Sequence, residues 1–243
     1  MKKWIYISLI CLGFGCGDEN RCLKSLGDEV ETERNIDAYF DALLVEDRIK
    51  VRLIQDSLQA GKLIFRGPEN LLPSIGAVVQ DGELKLTNNN TCNFLRSFDY
   101  ILEIDVYLAQ LNRLGVESIA VVKCKDTLRI DRLEVFHNAL SGIDLLVKGN
   151  EMYIQSRNSA STTLRGRVNA LKGSIEEVSD LNAKELLAND VLLDTHSPLD
   201  SKINALEGYY LNLYNRGNIE QFGNASEYQI VNEQTSTGIV IQK

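Results

Sequence analysis

Ile143-Asp144-Leu145-Leu146-Val147, Val191-Leu192-Leu193-Asp194 and Leu211-Asn212-Leu213-Tyr214 are strand-like pieces of one kind. They recur at intervals of about twenty residues or a multiple of it. Related pieces begin near Ile119, Leu128, Met152, Leu164, Ile203 and Tyr209, and Gly, Asn, Asp or Ser separates them. Read this way, each piece is only about three to six residues long, which leaves no room for long helices. The spacing predicts an all-β chain wound as a β-solenoid, in which no turn buries its apolar face until the next stacks on it. An irregular β-sandwich is the alternative for the same pattern.

Toward the amino terminus the same physics appears as period-two alternation. Ile49-Lys50-Val51-Arg52-Leu53, Leu84-Lys85-Leu86 and Leu102-Glu103-Ile104-Asp105-Val106 set apolar and charged residues on opposite faces, as half-buried strands require. Asp81-Gly82 between Val78-Val79 and Leu84 predicts a tight hairpin. Residues 36–45 suit either a helical face or a strand, and a strand is the expectation taken here.

The first residues read as an address. Lys2 and Lys3 precede an apolar run from Trp4 to Phe14, broken only by Ser8, and Gly15 precedes Cys16. That run reaches about 16 Å as a helix, half of a hydrocarbon core roughly 30 Å thick, so it is an export signal and not a span. Leu12-Gly13-Phe14-Gly15-Cys16 resembles a lipobox, with Gly13 where leucine is usual, and implies lipid attachment at Cys16. Ordinary cleavage, leaving Cys16 a plain thiol, is the alternative. Residues 1–15 are thus expected to be a signal peptide, 16–34 an acidic solvated tether, and 35–243 a single head domain. An exported chain meets an oxidising setting, where a Cys22–Cys92 disulfide would pin the tether to the body and leave Cys124 over.

The formal net charge is −8, and removing the signal takes away two lysines and no acid. That balance repels phosphate backbones and excludes nucleic acid as a partner. Cysteines 70 and 32 residues apart, with only His137 and His196 as histidines, do not make a metal-ligand pattern. Phosphate loops, dinucleotide fingerprints and EF-hand loops are also absent, so no metal or cofactor is expected.

Asp194, His196, Ser197 and Asp200 form the one local set with acid–base chemistry, but Ser-Pro and Asp at these spacings are turn chemistry. Glu176-Glu177 reads as a solvated edge. No catalytic residue is nominated. If Tyr209 faces inward with Leu211 and Leu213, then Tyr210, Asn212 and Tyr214 share an outer face, and tyrosines beside an amide suit a recognition surface or a stacking platform for sugars. Aromatic packing or edge protection accounts for the same residues without a ligand.

Cys22-Leu23-Lys24-Ser25, Ile49 to Gln55, Asn70-Leu71-Leu72, Asp81 to Leu86, Asn90-Thr91-Cys92-Asn93-Phe94, Ile203-Asn204-Ala205-Leu206 and Leu211 to Asn218, in that order, resemble the head GIN domain family of auto-transporter adhesins. The resemblance covers roughly residues 36–225. It implies a stacked β-helix-like fold, often on a bacterial lipoprotein, with no catalytic residues to carry over. Asp194 to Asp200 replaces the Gly-Ser-Gly-Asp turns common in that family. The expectation is a non-enzymatic envelope lipoprotein at the outer membrane or cell surface, held to the membrane through lipid on Cys16. Its head would bind a surface polymer, glycan or protein. A carbohydrate-binding or carbohydrate-active protein on the same scaffold is the alternative.

Overall fold

The computed structural model describes residues 25–90, 100–232 and 236–243. The segment expected to be a signal peptide, the expected lipid site Cys16, and Cys22 and Cys92 of the expected disulfide lie outside the described residues. The first strands are β1 (Glu29–Asn35), β2 (Ala42–Val45), β3 (Lys50–Gln55), β4 (Lys62–Pro68), β5 (Ile75–Gln80), β6 (Glu83–Asn88), β7 (Glu103–Leu108), β8 (Arg113–Ser118) and β9 (Val121–Cys124). Then follow β10 (Leu128–Ala139), β11 (Gly142–Arg157), β12 (Ser161–Ile175), β13 (Asp180–Thr195), β14 (Ser201–Ile203), β15 (Ala205–Leu213), β16 (Ile219–Gln221), β17 (Glu227–Asn232) and β18 (Val240–Gln242). A single 3₁₀ turn, Leu72–Ser74, is the only helical element among the described residues.

The chain is a β-solenoid. β11 pairs in parallel with β10 on one side and β12 on the other, with Val147 opposite Leu128 and Ser161 opposite Gly142, nineteen residues along in each case. Alternation then points the same positions of every coil inward. Leu133, Met152, Leu171, Val191 and Tyr209 form one inner column, and all five are buried. Burying a side chain of this size contributes about 1.5–3 kcal/mol, available only once the neighbouring coil is in place. One hydrophobic cluster runs unbroken from Phe40 to Ile219.

The strands are longer than the sequence pieces. β11 and β13 have 16 residues each, because residues that read as separators are bends inside a continuous ladder. Gly166 bends β12 at φ +110°, and a Cβ there would lie 2.0 Å from the Val147 carbonyl oxygen of the coil beneath. Only glycine lets the chain turn while the two backbones remain that close.

The amino-proximal end departs from simple winding. β2 lies between β6 and β8, and β3 between β7 and β9. β2 and β3 therefore lie between a coil made by β6 and β7 and one made by β8 and β9, so the chain returns past itself. β4 runs antiparallel to β7, and β1 antiparallel to β4. Arg34 lies 4.1 Å over the buried Phe65 ring and donates to the Leu72 and Ile75 carbonyls, which closes this end.

Residues 29–34, expected to be part of a solvated tether, lie instead in the strand Glu29–Asn35. Its acids do not need water alone: Glu31 pairs with Arg66 at 2.7 Å and Glu33 with Lys62 at 2.9 Å on β4. Of the ambiguous 36–45 segment, only Ala42–Val45 is strand. The Asp81-Gly82 hairpin forms as expected. Both residues have positive φ, 51° and 79°, with Gln80 opposite Glu83, the twist that matches the flanking strands.

Candidate functional site

The outer face of the second half of each coil carries columns of side chains at the inter-strand spacing, about 4.8 Å. One column reads Tyr153, Lys172, Leu192, Tyr210, and the next Gln155, Ser174, Asp194, Asn212. Beyond the strand ends the turns add Glu176, His196 and Tyr214. These rows border an open groove of about 490 Å³, lined by Tyr153, Glu176, Leu192, Asp194, His196, Tyr210 and Asn212 among others.

The expected alternation of β15 is present. Tyr209 is buried, Tyr210 is 41% exposed, and Asn212 and Tyr214 are half-buried on the same outer side. Asn212 donates its side-chain amide to Asp194 Oδ1 at 2.6 Å, a bond between successive coils. The His196 and Tyr214 rings stack with centroids 4.1 Å apart and planes 5° from parallel. The groove therefore presents flat rings beside a carboxylate–amide pair, which can stack on an apolar face and accept or donate hydrogen bonds at its rim.

Glu176 is not poised as an acid there. Burial pushes the Glu176 carboxyl up, but hydrogen bonds from Ser174, Arg157 and Gln155, with the Arg157 charge, hold it below its ordinary value. A carboxylate held ionised in this way is a poor proton donor at neutral pH. Its neighbour Glu177 accepts the Asn158 backbone N–H at 2.8 Å.

Of the Asp194, His196, Ser197, Asp200 set, Asp194 and His196 line the groove, and the other two serve the turn. Ser197 is buried, donates to the Ser179 carbonyl at 2.6 Å and accepts the Leu199 N–H, while Asp200 accepts the Asn218 N–H at 2.7 Å. Among the described residues no three His, Cys, Asp or Glu side chains gather to hold a metal ion. Cys124 carries a free thiol; burial pushes its pKa up, and its sulfur accepts the Leu146 N–H at 2.9 Å.

Sequence reasoning found the β15 part of the groove and missed Tyr153 and Leu192. They stand three coils and one coil below Tyr210, so only the register connects them. A step of eighteen to twenty residues back from Tyr210 would have reached Leu192, Lys172 and Tyr153 in turn.

Residues 39–225 match the family described as "Putative auto-transporter adhesin, head GIN domain". Among solved structures, one described as a "putative adhesin" from Bacteroides fragilis superposes with a TM-score of 0.79 at 17% identity, covering 89% of this chain and 97% of that one. A second "putative adhesin", from Parabacteroides distasonis, gives 0.61 at 16% identity over 89% and 98%. A "putative lipid binding protein" from the same species gives 0.58 at 17% over 89% and 97%. At such identities these structures show the shared fold. No curated protein matches the chain.

Proposed function

The chain belongs to the head GIN domain family of auto-transporter adhesins, and from that premise we propose that it is an exported, lipid-anchored attachment protein. Cys16 would carry the lipid, and Asp18-Glu19 behind it resembles acidic tethers that send lipoproteins outward. The solenoid would present its lateral groove to a polymer outside the cell, without chemical turnover. The observation that carries the binding part of this reading is the outer face of β15 and the turn after it, where Tyr210 and Asn212 stand beside Leu192 and Asp194, and Tyr214 stacks on His196. Rings plus an amide–carboxylate pair suit a glycan, which offers apolar ring faces edged by hydroxyls. The engaged state of Glu176 argues against a hydrolase on the same scaffold.

One experiment with three strains tests the proposal. Intact cells carrying the full chain are incubated with a panel of fluorescein-labelled soluble polysaccharides, and both retained fluorescence and released reducing ends are measured. The wild type should retain at least one polysaccharide without releasing reducing ends. The Tyr210→Ala, Tyr214→Ala double variant should bind at least tenfold more weakly at equal surface amount, since each stacking ring contributes about 0.5–1.5 kcal/mol beyond its buried area. Cys16→Ser should free the protein, and the binding with it, from the cell surface. Undiminished binding in the tyrosine double variant rules out the groove, and Cys16→Ser protein that stays on the cell rules out the lipid anchor.

A further inference from the structure

The two ends of the stack are finished differently. At the amino-proximal end Phe65, Leu71, Leu72 and Ile75 are buried beneath the antiparallel strands and the 3₁₀ turn. Two strands are outermost there among the described residues: β1, which carries Glu29, Glu31, Glu33 and Arg34, the kind of charge that guards an edge against further pairing, and the uncharged β5, which pairs only with β6. At the other end β17 pairs with β15 and β18 with β16, and neither has a second neighbour among the described residues.

Every residue of β17 is exposed. Tyr228 and Ile230 continue the inner columns above Tyr209 and Leu211. They are 65% and 38% exposed, against 6% and 1% one coil below. Ile239 is also exposed beside β18. The coil's core-facing residues are thus in place with nothing among the described residues stacked on them. The strand Glu-Tyr-Gln-Ile-Val-Asn contains no Lys, Arg or Pro, so it lacks the usual devices that keep an open edge solitary.

We infer that this end is an interface for the same end of a second copy of the chain, with β17 pairing antiparallel to the partner's β17 across a two-fold axis. Centred on Ile230, that pairing sets Tyr228 against the partner's Asn232 and Gln229 against the partner's Val231. Pleating has a period of two, so this register keeps Tyr228 and Ile230 of both chains on the core side, each end coil serving as the other's next coil. Charge agrees with it. The only charge in β17 is Glu227, at its start, and antiparallel pairing carries the two copies of Glu227 to opposite ends of the contact. Because β17 pairs with the partner's β17, both chains use the same edge, so the contact is isologous and closes at two chains.

Sedimentation velocity on the full chain in detergent tests this. The wild type should sediment at twice the mass of one chain, and Ile230→Lys at the mass of one. Because Ile230→Lys could also loosen its own coil, a second measurement uses the Gln229→Cys, Val231→Cys double variant. Mild oxidation should convert it to a covalent dimer that the wild type does not form. A wild type that stays monomeric, or that grows past two chains with concentration, overturns the inference. So does a dimer that survives Ile230→Lys or fails to cross-link through residues 229 and 231.

Discussion

His137 is completely buried in the solenoid interior, with Nδ1 at 2.8 Å from Thr162 Oγ1, which in turn lies 3.1 Å from Ser156 Oγ. Its Nε2 has no hydrogen-bond partner among the described residues. Desolvation disfavours the imidazolium and pushes the pKa down to about 4 from an ordinary 6.5. Between those values the unfolded chain binds a proton that the folded chain refuses. His137 therefore costs no stability above pH 6.5, and the fold loses stability as pH falls from 6.5 toward 4. Over the full window the loss is about 3 kcal/mol. In urea titrations at matched protein concentration, the difference in stability between pH 7.5 and pH 4.5 should shrink by roughly 2–3 kcal/mol in His137→Gln. Equal pH dependence in the two proteins would show that His137 titrates normally in the fold. Nothing in the sequence announced this residue, because Phe136-His137-Asn138 has the polarity of a turn. Only the stacking of the His137 position on Ser156 makes it interior.

At the scale of the strand, alternation was legible and continuity was not. Ile143, Leu145 and Val147 alternate with Asp144 and Leu146 plainly enough to assign faces. The bend that joins this run to Met152 and Ile154 passes through Gly149-Asn150, which by composition is a break. What separates a break from a bend is the distance to the next coil, a fact of tertiary structure. Gly166 makes the difference measurable. An alanine methyl would meet the Val147 carbonyl oxygen at 2.0 Å in a backbone conformation that L-residues avoid. Relief requires the two coils to part, which breaks the ladder on both sides. Gly166→Ala should therefore cost about 3 kcal/mol or more, well above the cost of less than about 1 kcal/mol for a compatible glycine-to-alanine change. Gly82→Ala in the hairpin is the control: its added Cβ meets only Asp41 Oδ1, at 4.0 Å, so it should show the smaller cost of positive φ alone. Thermal melts of the two variants side by side decide the matter. Equal losses would mean that close coil approach contributes nothing beyond φ.

Across the whole molecule the stack is polar in its stability, and the order of coils explains why the sequence could not show it. A period near twenty implies winding in chain order, yet β2 and β3 are inserted between coils that come later in the chain, and no local pattern encodes that return. Its consequence is an amino-proximal end held by strands that cross it. Arg52 and Arg66 grip the buried Asp105 at 2.6 and 2.9 Å, and Arg66 also reaches Glu31, so one chain of charges ties β3, β7, β4 and β1 together. In a linear stack each coil is stabilised only by its neighbours, so opening begins at the end with the weaker neighbour. In the Ile230→Lys chain that end is β17 and β18, which have one neighbour each among the described residues, β17 with its core-facing residues exposed. Hydrogen exchange of that variant should show amides of 227–232 exchanging at least tenfold faster than those of 29–35, although both are outermost strands. Amides of 142–157, paired on both sides, should be the slowest of the three. Equal rates at the two ends would mean that the crossing strands and their ion pairs add nothing to the amino-proximal coil, and that the stack frays without regard to how its ends are built.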